Sequence, residues 1–431
     1  MDFNGDGTWG GPGEQIFAGH SVVNGDNELT FDVPSWAQSG TTYARLRLST
    51  AGNLGIGGMA DDGEVEDYEI EINPPAVASG VFGGENTITT TADGTNTVFA
   101  ADVDGDGDID VLSSSYRDDT IAWYESDGSG SFTPHTITTT ADGARSVFAA
   151  DVDGDGDIDV LSGSWNDDKV AWYENDGNES FTTHTITTTA DVVISVFAAD
   201  VDGDGDMDVL SASLYDDKIA WYENDGSQSF TAHMITTTAN GAFSVFAADV
   251  DGDGDMDVLS ASLYDDKIAW YENDGNESFT PHTISATADG AFSVFAADVD
   301  GDGDMDVLSA SLYDDKIAWY ENDGSESFTA HTITTTADGA SSIFVADVDG
   351  DGDMDVLSAS QSDDKIAWYK NDGSEVFTPH TITTDTDGPM SVVAADIDGD
   401  GDMDVLSGSY HDDTIAWYEN FDSDFGDAPS P

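Results

Sequence analysis

Residues 195–226 read SVFAADVDGDGDMDVLSASLYDDKIAWYENDG, and the same string recurs unchanged at 244–275 and 293–324. Looser copies place their acidic loops at Asp102, Asp151, Asp347 and Asp396. Loops therefore begin at 102, 151, 200, 249, 298, 347 and 396, each 49 residues after the last. Seven such units run from Ser79 to Phe421, most of the 431-residue chain. A fixed period of this length is the mark of a repeat architecture, in which one supersecondary unit stacks on copies of itself.

Each unit reads as four short strands. In the unit around Asp249, Ser244–Ala248 is a β-branched and aromatic run ahead of the loop, and Asp257–Ser262 follows it. A turn at Asp265-Asp266 leads into Ile268–Glu272 (IAWYE). Asn273-Asp274-Gly275 is a turn signal, since Asx-Gly pairs accept positive φ. Ser278–Thr287 is the fourth strand, ended by Ala288-Asp289-Gly290. No stretch of helical length shows a 3.6-residue apolar period. Four strands in about 40–50 residues is the signature of a propeller blade. Both strand faces are apolar or small, with Val245 and Ala247 on one and Phe246 and Ala248 on the other. That suits a blade packed between two neighbours and places Trp123, Trp172, Trp221, Trp270, Trp319, Trp368 and Trp417 between blades. The ends predict how the ring closes. Asn86–Thr91 (NTITTT) matches a fourth strand with no first three ahead of it, and nothing like a fourth strand follows Ile415–Asn420. The N-terminal strand is expected to complete the seventh blade.

The charge points to cations. Ten basic residues face 89 acidic ones, a net charge of −79. Such a chain repels nucleic acid and anionic lipid, both of which need Lys and Arg against phosphate. A content of 38% hydrophobic and 10% aromatic residues argues against disorder. No apolar run is long enough to span a membrane as a helix, and the absence of cysteine excludes disulfides and thiolate sites. The acids sit at fixed offsets, Asp-x-Asp-Gly-Asp-Gly-Asp-x-Asp, in every unit. They are Asp102, Asp104, Asp106, Asp108 and Asp110; Asp151, Asp153, Asp155, Asp157 and Asp159; Asp200, Asp202, Asp204, Asp206 and Asp208; and Asp249, Asp251, Asp253, Asp255 and Asp257. The last three loops supply Asp298, Asp300, Asp302, Asp304 and Asp306; Asp347, Asp349, Asp351, Asp353 and Asp355; and Asp396, Asp398, Asp400, Asp402 and Asp404. Calcium takes six to eight oxygen ligands, and short carboxylates on a curled loop supply them. Spacing of two sets the first three acids around one point; Gly107 permits the curl; Asp108 offers its backbone carbonyl, and Asp110 returns from the next strand. Two carboxylates about 4 Å apart repel by about 4 kcal/mol at an effective dielectric of about 20, so a solvated acidic turn would open. Helix-loop-helix calcium sites require Glu at the twelfth position, which here is Ser113. Magnesium fits less well, because it demands octahedral geometry and keeps its waters. The expectation is about seven calcium ions, one per blade.

The DVDGDGDxDV loop, the 49-residue period and the strand pattern resemble the FG-GAP/VCBS repeat family, which also builds the propeller of integrin α chains. The resemblance implies an all-β, seven-bladed propeller with calcium between the first two strands of a blade. Carried over by position, Asp102, Asp104, Asp106 and Asp110 ligate by side chain and Asp108 by backbone, and likewise in the other six loops. Integrins keep such loops in only some blades; here all seven have them, which points to a structural metal. Residues 1–73 lie outside the repeat. Thr42–Ser49 (TYARLRLS) alternates as a strand, and Gly63–Tyr68 (GEVEDY) resembles the GEVED domain, a β-sandwich-like module of secreted bacterial proteins. Asp2, Asn4, Asp6 and Glu14 are candidates for one further calcium site. Residues 74–81 read as a linker, 82–421 as the propeller and 422–431 as a joint to a further module; both ends are read as those of a piece of a longer protein.

No nucleophile–base–orienter set and no phosphate-binding glycine loop is visible, and near-identical blades spread the same groups over seven places. We read the protein as non-catalytic. The histidines of FTxHTIT, His135 to His380, fall on the outermost strands and read as surface residues. The two positions before each Asp-Asp turn vary more than their surroundings: Tyr116 and Arg117, Trp165 and Asn166, Leu214 and Tyr215, Leu263 and Tyr264, Leu312 and Tyr313, Gln361 and Ser362, Tyr410 and His411. They lie on the face opposite the acidic loops. Aromatic residues there would stack on sugars or grip a protein; ordinary loop drift is the alternative. The expected role is a monomeric, secreted or cell-surface adhesion or protein-interaction scaffold. The alternatives are a lectin-like glycan binder and the propeller of a polysaccharide-active enzyme.

Overall fold

The computed structural model describes residues 40–49, 64–72, 78–325 and 327–422, with isolated positions at 1, 3, 16, 22 and 37. Among them lie thirty strands and no helix, hence no helix long and apolar enough to cross a membrane. The candidate site at Asp2, Asn4, Asp6 and Glu14 falls outside the described residues. In the N-terminal region Gly40–Leu48 pairs antiparallel with Glu64–Ile72, and Arg45 bonds Asp67 across the pair at 2.8 Å.

The seven repeats form seven four-stranded antiparallel sheets. In the fourth blade the strands are Ala242–Ala248, Asp257–Ser262, Lys267–Asn273 and Phe279–Ser285, each end within two residues of the sequence reading. The seventh blade takes Pro389–Ala395, Asp404–Ser409 and Thr414–Asp422 from the C-terminal end and Ala78–Thr89 from the N-terminal end. Asn86 sits opposite Trp417 and Thr87 opposite Ala416, as ring closure requires. The closing strand starts at Ala78, inside the stretch read as a linker.

The two apolar faces of each inner strand do different work. Val245 and Ala247 pack with Trp221 of the preceding blade, while Ala248 packs with Trp270 and with Val294 of the next. Trp123, Trp172, Trp221, Trp270 and Trp319 are all but fully buried between sheets. The Asp-Asp turns join blade to blade. The second aspartate of each has positive φ (Asp119 61°, Asp217 55°), a conformation Asp tolerates better than branched residues. Its carboxylate accepts the backbone N–H at the start of the next blade, Gly143 on Asp119 at 2.8 Å and Gly241 on Asp217 at 2.9 Å. Asp413 makes the same bond to Gly94 at 2.9 Å across the closure of the ring.

The fifth residues of the inner strands point to the axis. Phe99, Phe148, Phe197, Phe246 and Phe295 pack in succession as tilted rings with centroids 4.7 Å apart, and Phe344 follows at 5.3 Å. With Val393 in the seventh place, they line a cavity of about 940 Å³ rimmed by the acidic loops. Toward the opposite face the axis is filled by Val192, Ile194, Leu214, Phe243, Leu263 and Phe292.

Candidate metal centres and the opposite face

Each acidic loop curls because its own carboxylates hold its amides. In the first, Asp102 Oδ1 accepts the N–H of Gly105 at 2.8 Å and of Asp106 at 3.1 Å, and its Oδ2 accepts that of Gly107 at 3.0 Å. Gly105 and Gly107 both carry positive φ, 75° and 97°, which makes the reversal possible. Asp110, at the ninth position, is fixed from two sides. Its Oδ1 accepts the Ser126 N–H at 2.7 Å and its Oδ2 the Val103 N–H at 3.0 Å. This brings oxygens of Asp102, Asp104 and Asp110 within 4.8 Å of one another, and the same holds for Asp151, Asp153 and Asp159, for Asp200, Asp202 and Asp208, and for Asp249, Asp251 and Asp257. In the fifth loop the grouping is Asp298, Asp300 and Asp302. The seventh-position carboxylates sit apart from these groupings: Asp108, Asp157, Asp206, Asp255, Asp304 and Asp353 lie over Gly128, Gly177, Gly226, Gly275, Gly324 and Gly373 of the third turn.

The electrostatics of these groups call for a cation. Burial raises Asp110 and Asp306 to about 7, Asp159, Asp257, Asp355 and Asp404 to about 8, and Asp208 to about 9, against the backbone bonds that favour their ionised forms. Burial and then the charges of Asp202 and Asp204 raise Asp200 to about 7. Asp200 Oδ1, Asp349 Oδ1, Asp396 Oδ1 and Asp398 Oδ1 are buried with no hydrogen-bond donor. Buried acceptors without donors are costly. An all-oxygen, anionic donor set suits a hard divalent ion, so each hairpin has the composition and placement to hold a metal.

The structure adds groups that the loop motif alone does not announce. The side-chain amide of Asn175 donates to Val103 O of the preceding loop at 2.9 Å, and Asn224, Asn273, Asn322, Asn371 and Asn420 repeat the bond. Glutamates gather behind the third position: Glu125 and, from the next blade, Glu179 add to the charge that raises Asp104 after burial and Asp106. In the second hairpin the equivalent of Glu179 is Gln228, whose amide reaches Asp153 Oδ2 at 3.1 Å. The recurrence of glutamate after Trp-Tyr in six of the seven units is the signal the sequence offers for Glu125. The histidines depart from the surface reading. His135 stacks on Trp123 at 4.5 Å and its Nε2 meets Glu125 Oε2 at 2.8 Å, half-buried, with the same pairing at His184, His233, His282 and His331.

On the opposite face, several of the variable residues meet. Tyr410, Tyr116, Trp165 and Tyr215 form a continuous arc with ring separations of 6.4, 6.2 and 6.2 Å. His411 packs on Tyr410, and Arg117 lies 4.4 Å over the Tyr410 ring while pairing with Asp93 and Asp413. Asn166 is tied to Asp142 at 3.0 Å. Tyr264 and Tyr313 stand apart from the arc, exposed over Gly241 and Gly290. Leu214, Leu263 and Leu312 turn to the axis. Arg145, absent from the sequence candidates, sits beside the arc. It bonds Asn96 Oδ1 at 2.5 Å, lies 5.5 Å from the rings of both Trp165 and Phe243, and is lowered to about 10 by burial. Among the described residues no carboxylate pairs with it.

The FG-GAP-like repeat matches six times, at 102–162, 151–211, 210–260, 252–309, 298–358 and 347–407, and the GEVED domain matches residues 1–71. No curated protein matches the chain. Among solved structures, a catalytically inactive virginiamycin B lyase from Staphylococcus aureus with quinupristin shares 14% identity over 78% of this chain and 99% of its own, with a TM-score of 0.56. BBS1N in complex with ARL6DN shares 10% over 80% of this chain and 97% of its own, TM-score 0.56. A protein from Lactobacillus plantarum shares 15% over 70% of this chain and 89% of its own, TM-score 0.55. At such identities the likeness is one of fold.

Proposed function

Since the chain belongs to the FG-GAP-like repeat family and carries a GEVED domain at its N-terminus, we propose that it is a calcium-loaded, non-catalytic propeller of a secreted protein, serving as an adhesion or protein-interaction scaffold. The observation that carries this reading is the ninth-position aspartate of every hairpin. It is almost wholly buried and raised to between about 7 and about 9, and in the first four hairpins its oxygens lie within 4.8 Å of those of two further carboxylates. A divalent ion supplies the charge that burial denies these groups. Asp102, Asp104, Asp106 and Asp110 would hold it by side chain and Asp108 by backbone, with the equivalent residues in the other loops. Carboxylate loops of modest affinity fill where calcium is near millimolar, which supports an extracellular location. Near-identical hairpins that repeat the same groups at separate places support a scaffold over an enzyme. Plasma-emission analysis of protein dialysed against calcium tests the metal: several ions per chain are expected, and none would overturn the reading.

The aromatic arc favours a second reading, a glycan-binding propeller. Tyr410, Tyr116, Trp165 and Tyr215 offer stacking faces beside the guanidinium of Arg145. A glycan array compared with the Trp165→Ala and Tyr215→Ala variants separates it from the scaffold reading: sugar binding lost in both variants selects the lectin.

A further inference from the structure

The fifth and sixth hairpins have the same sequence, DVDGDGDMDVLSAS, at 298–311 and 347–360. What differs is the residue behind them. Six blades carry glutamate after the Trp-Tyr pair, at Glu125, Glu174, Glu223, Glu272, Glu321 and Glu419, and the sixth carries Lys370. The exchange falls where the other hairpins concentrate negative charge. In the fifth, oxygens of Asp298, Asp300 and Asp302 lie within 4.8 Å of one another, with Glu321 in the place after the Trp-Tyr pair. In the sixth, the Lys370 ammonium reaches into the loop and bonds Asp349 Oδ2, with Asp351 Oδ2 at 2.8 Å. These are the third- and fifth-position carboxylates, both assigned above as ligands. Asp349 is 7% exposed and its other oxygen has no donor, so the ammonium reaches a buried, cation-seeking carboxylate. The glutamate's other contact goes with it. His380 still stacks on Trp368, at 4.7 Å, but it is exposed and has Lys370 where its siblings have a bonded glutamate.

We infer that the sixth hairpin carries its own cation: Lys370 takes the place of the divalent ion, so this blade closes without metal and binds calcium at least tenfold more weakly than the others. Charge counting supports the substitution. In the first hairpin, Asp102, Asp104, Asp106, Asp110 and Glu125 with one divalent ion leave three negative charges. In the sixth, with every carboxylate again counted as ionised, Asp347, Asp349, Asp351, Asp355 and Lys370 leave the same three with no ion at all. The ammonium is also tethered, so it loses no translational freedom on closing the loop, whereas an ion must be captured from solution. Added calcium would have to displace Lys370 or share the loop with a like charge, and either lowers its affinity.

The inference rests on the calcium reading, and the test separates the two. Native mass spectrometry and plasma emission on the whole chain, titrated with calcium, should count six ions bound before the seventh loop begins to fill. Lys370→Glu installs the residue that six sibling blades already tolerate, and should raise the count to seven. Glu321→Lys in the fifth blade should lower it to five while the ring stays closed by circular dichroism. Seven equivalent ions in the unaltered protein, or a count that Lys370→Glu leaves at six, overturn the inference and leave the calcium reading standing. A count of zero overturns both.

Discussion

The metal-free and metal-loaded propellers should respond to pH in opposite directions. In the metal-free protein, Asp159 binds its proton in the folded state up to about pH 8, while an unfolded aspartate releases it near the ordinary value of 3.8. Between those limits the folded state holds more protons than the unfolded one, so stability falls as pH rises. At about 1.4 kcal/mol per tenfold change, the penalty of ionising one such group is on the order of 5 kcal/mol. Repeated around the ring, costs of that order are large against the whole stability of an ordinary domain, about 5–15 kcal/mol. The metal-free ring is therefore firmest at about pH 4 and below and loosens progressively up to about pH 8–9. A bound divalent ion replaces the proton, so in millimolar calcium stability is held at neutral pH and declines on acidification as protons displace the ion. Differential scanning calorimetry from acid to mildly alkaline pH, in chelator and in calcium, checks both slopes. Calcium titrated in at pH 7 should also release protons, seen by calorimetry in buffers of different ionisation enthalpy. Two parallel melting curves, or calcium uptake with no proton release, would refute the reasoning.

Four further outcomes are expected. Trp221→Ala, emptying a fully buried space between the third and fourth blades, should cost about 3–5 kcal/mol in denaturant unfolding. Asp217→Val forces a branched residue into φ 55° and deprives the Gly241 N–H of its acceptor, and should cost about 2–3 kcal/mol by the same measurement. Removing residues 1–89 strips the closing strand from Thr414–Asp422 and exposes a sheet edge; a lower Tm and concentration-dependent association by light scattering should follow. Arg145→Gln should leave the Tm within a few degrees yet abolish any binding of acidic ligands detected on an array, because it removes the one guanidinium beside the arc that lacks a carboxylate partner among the described residues.

Much of this molecule is legible because the repeat writes each instruction seven times. The 49-residue spacing gives blade and ring, and the unmatched NTITTT gives the closure that pairs Asn86 with Trp417. The hairpin carboxylates are legible too, since Asp at alternate positions around two glycines has one economical conformation. The rest depended on contacts between units. That Asn175 fixes Val103 O of the preceding blade, and that Glu179 crowds Asp104, are relations across 72 and 75 residues that no local pattern encodes. His135 read as surface because strand position was visible, whereas the Trp123 ring beneath it came from the register of two strands.

A near-perfect repeat makes its departures the informative residues. Where all seven copies agree, the residue serves what every blade needs, such as burying Trp221 or curling Asp200 around its glycines. Where one copy differs, the common need does not explain it. Lys370 stands against six glutamates, Arg145 against Asn96, Ile194, Phe243, Phe292, Ser341 and Met390, and Val393 against six phenylalanines. Arg145 and the Tyr410–Tyr116–Trp165–Tyr215 arc fall on blades seven, one, two and three, on one side of the ring, while Lys370 lies in the sixth blade at the other face. Stability alone would be served by seven equal blades. Under the proposed glycan-binding reading, the gathering of the aromatic arc and Arg145 in one sector of one face suits a single ligand approaching off the axis better than a symmetric sevenfold binder.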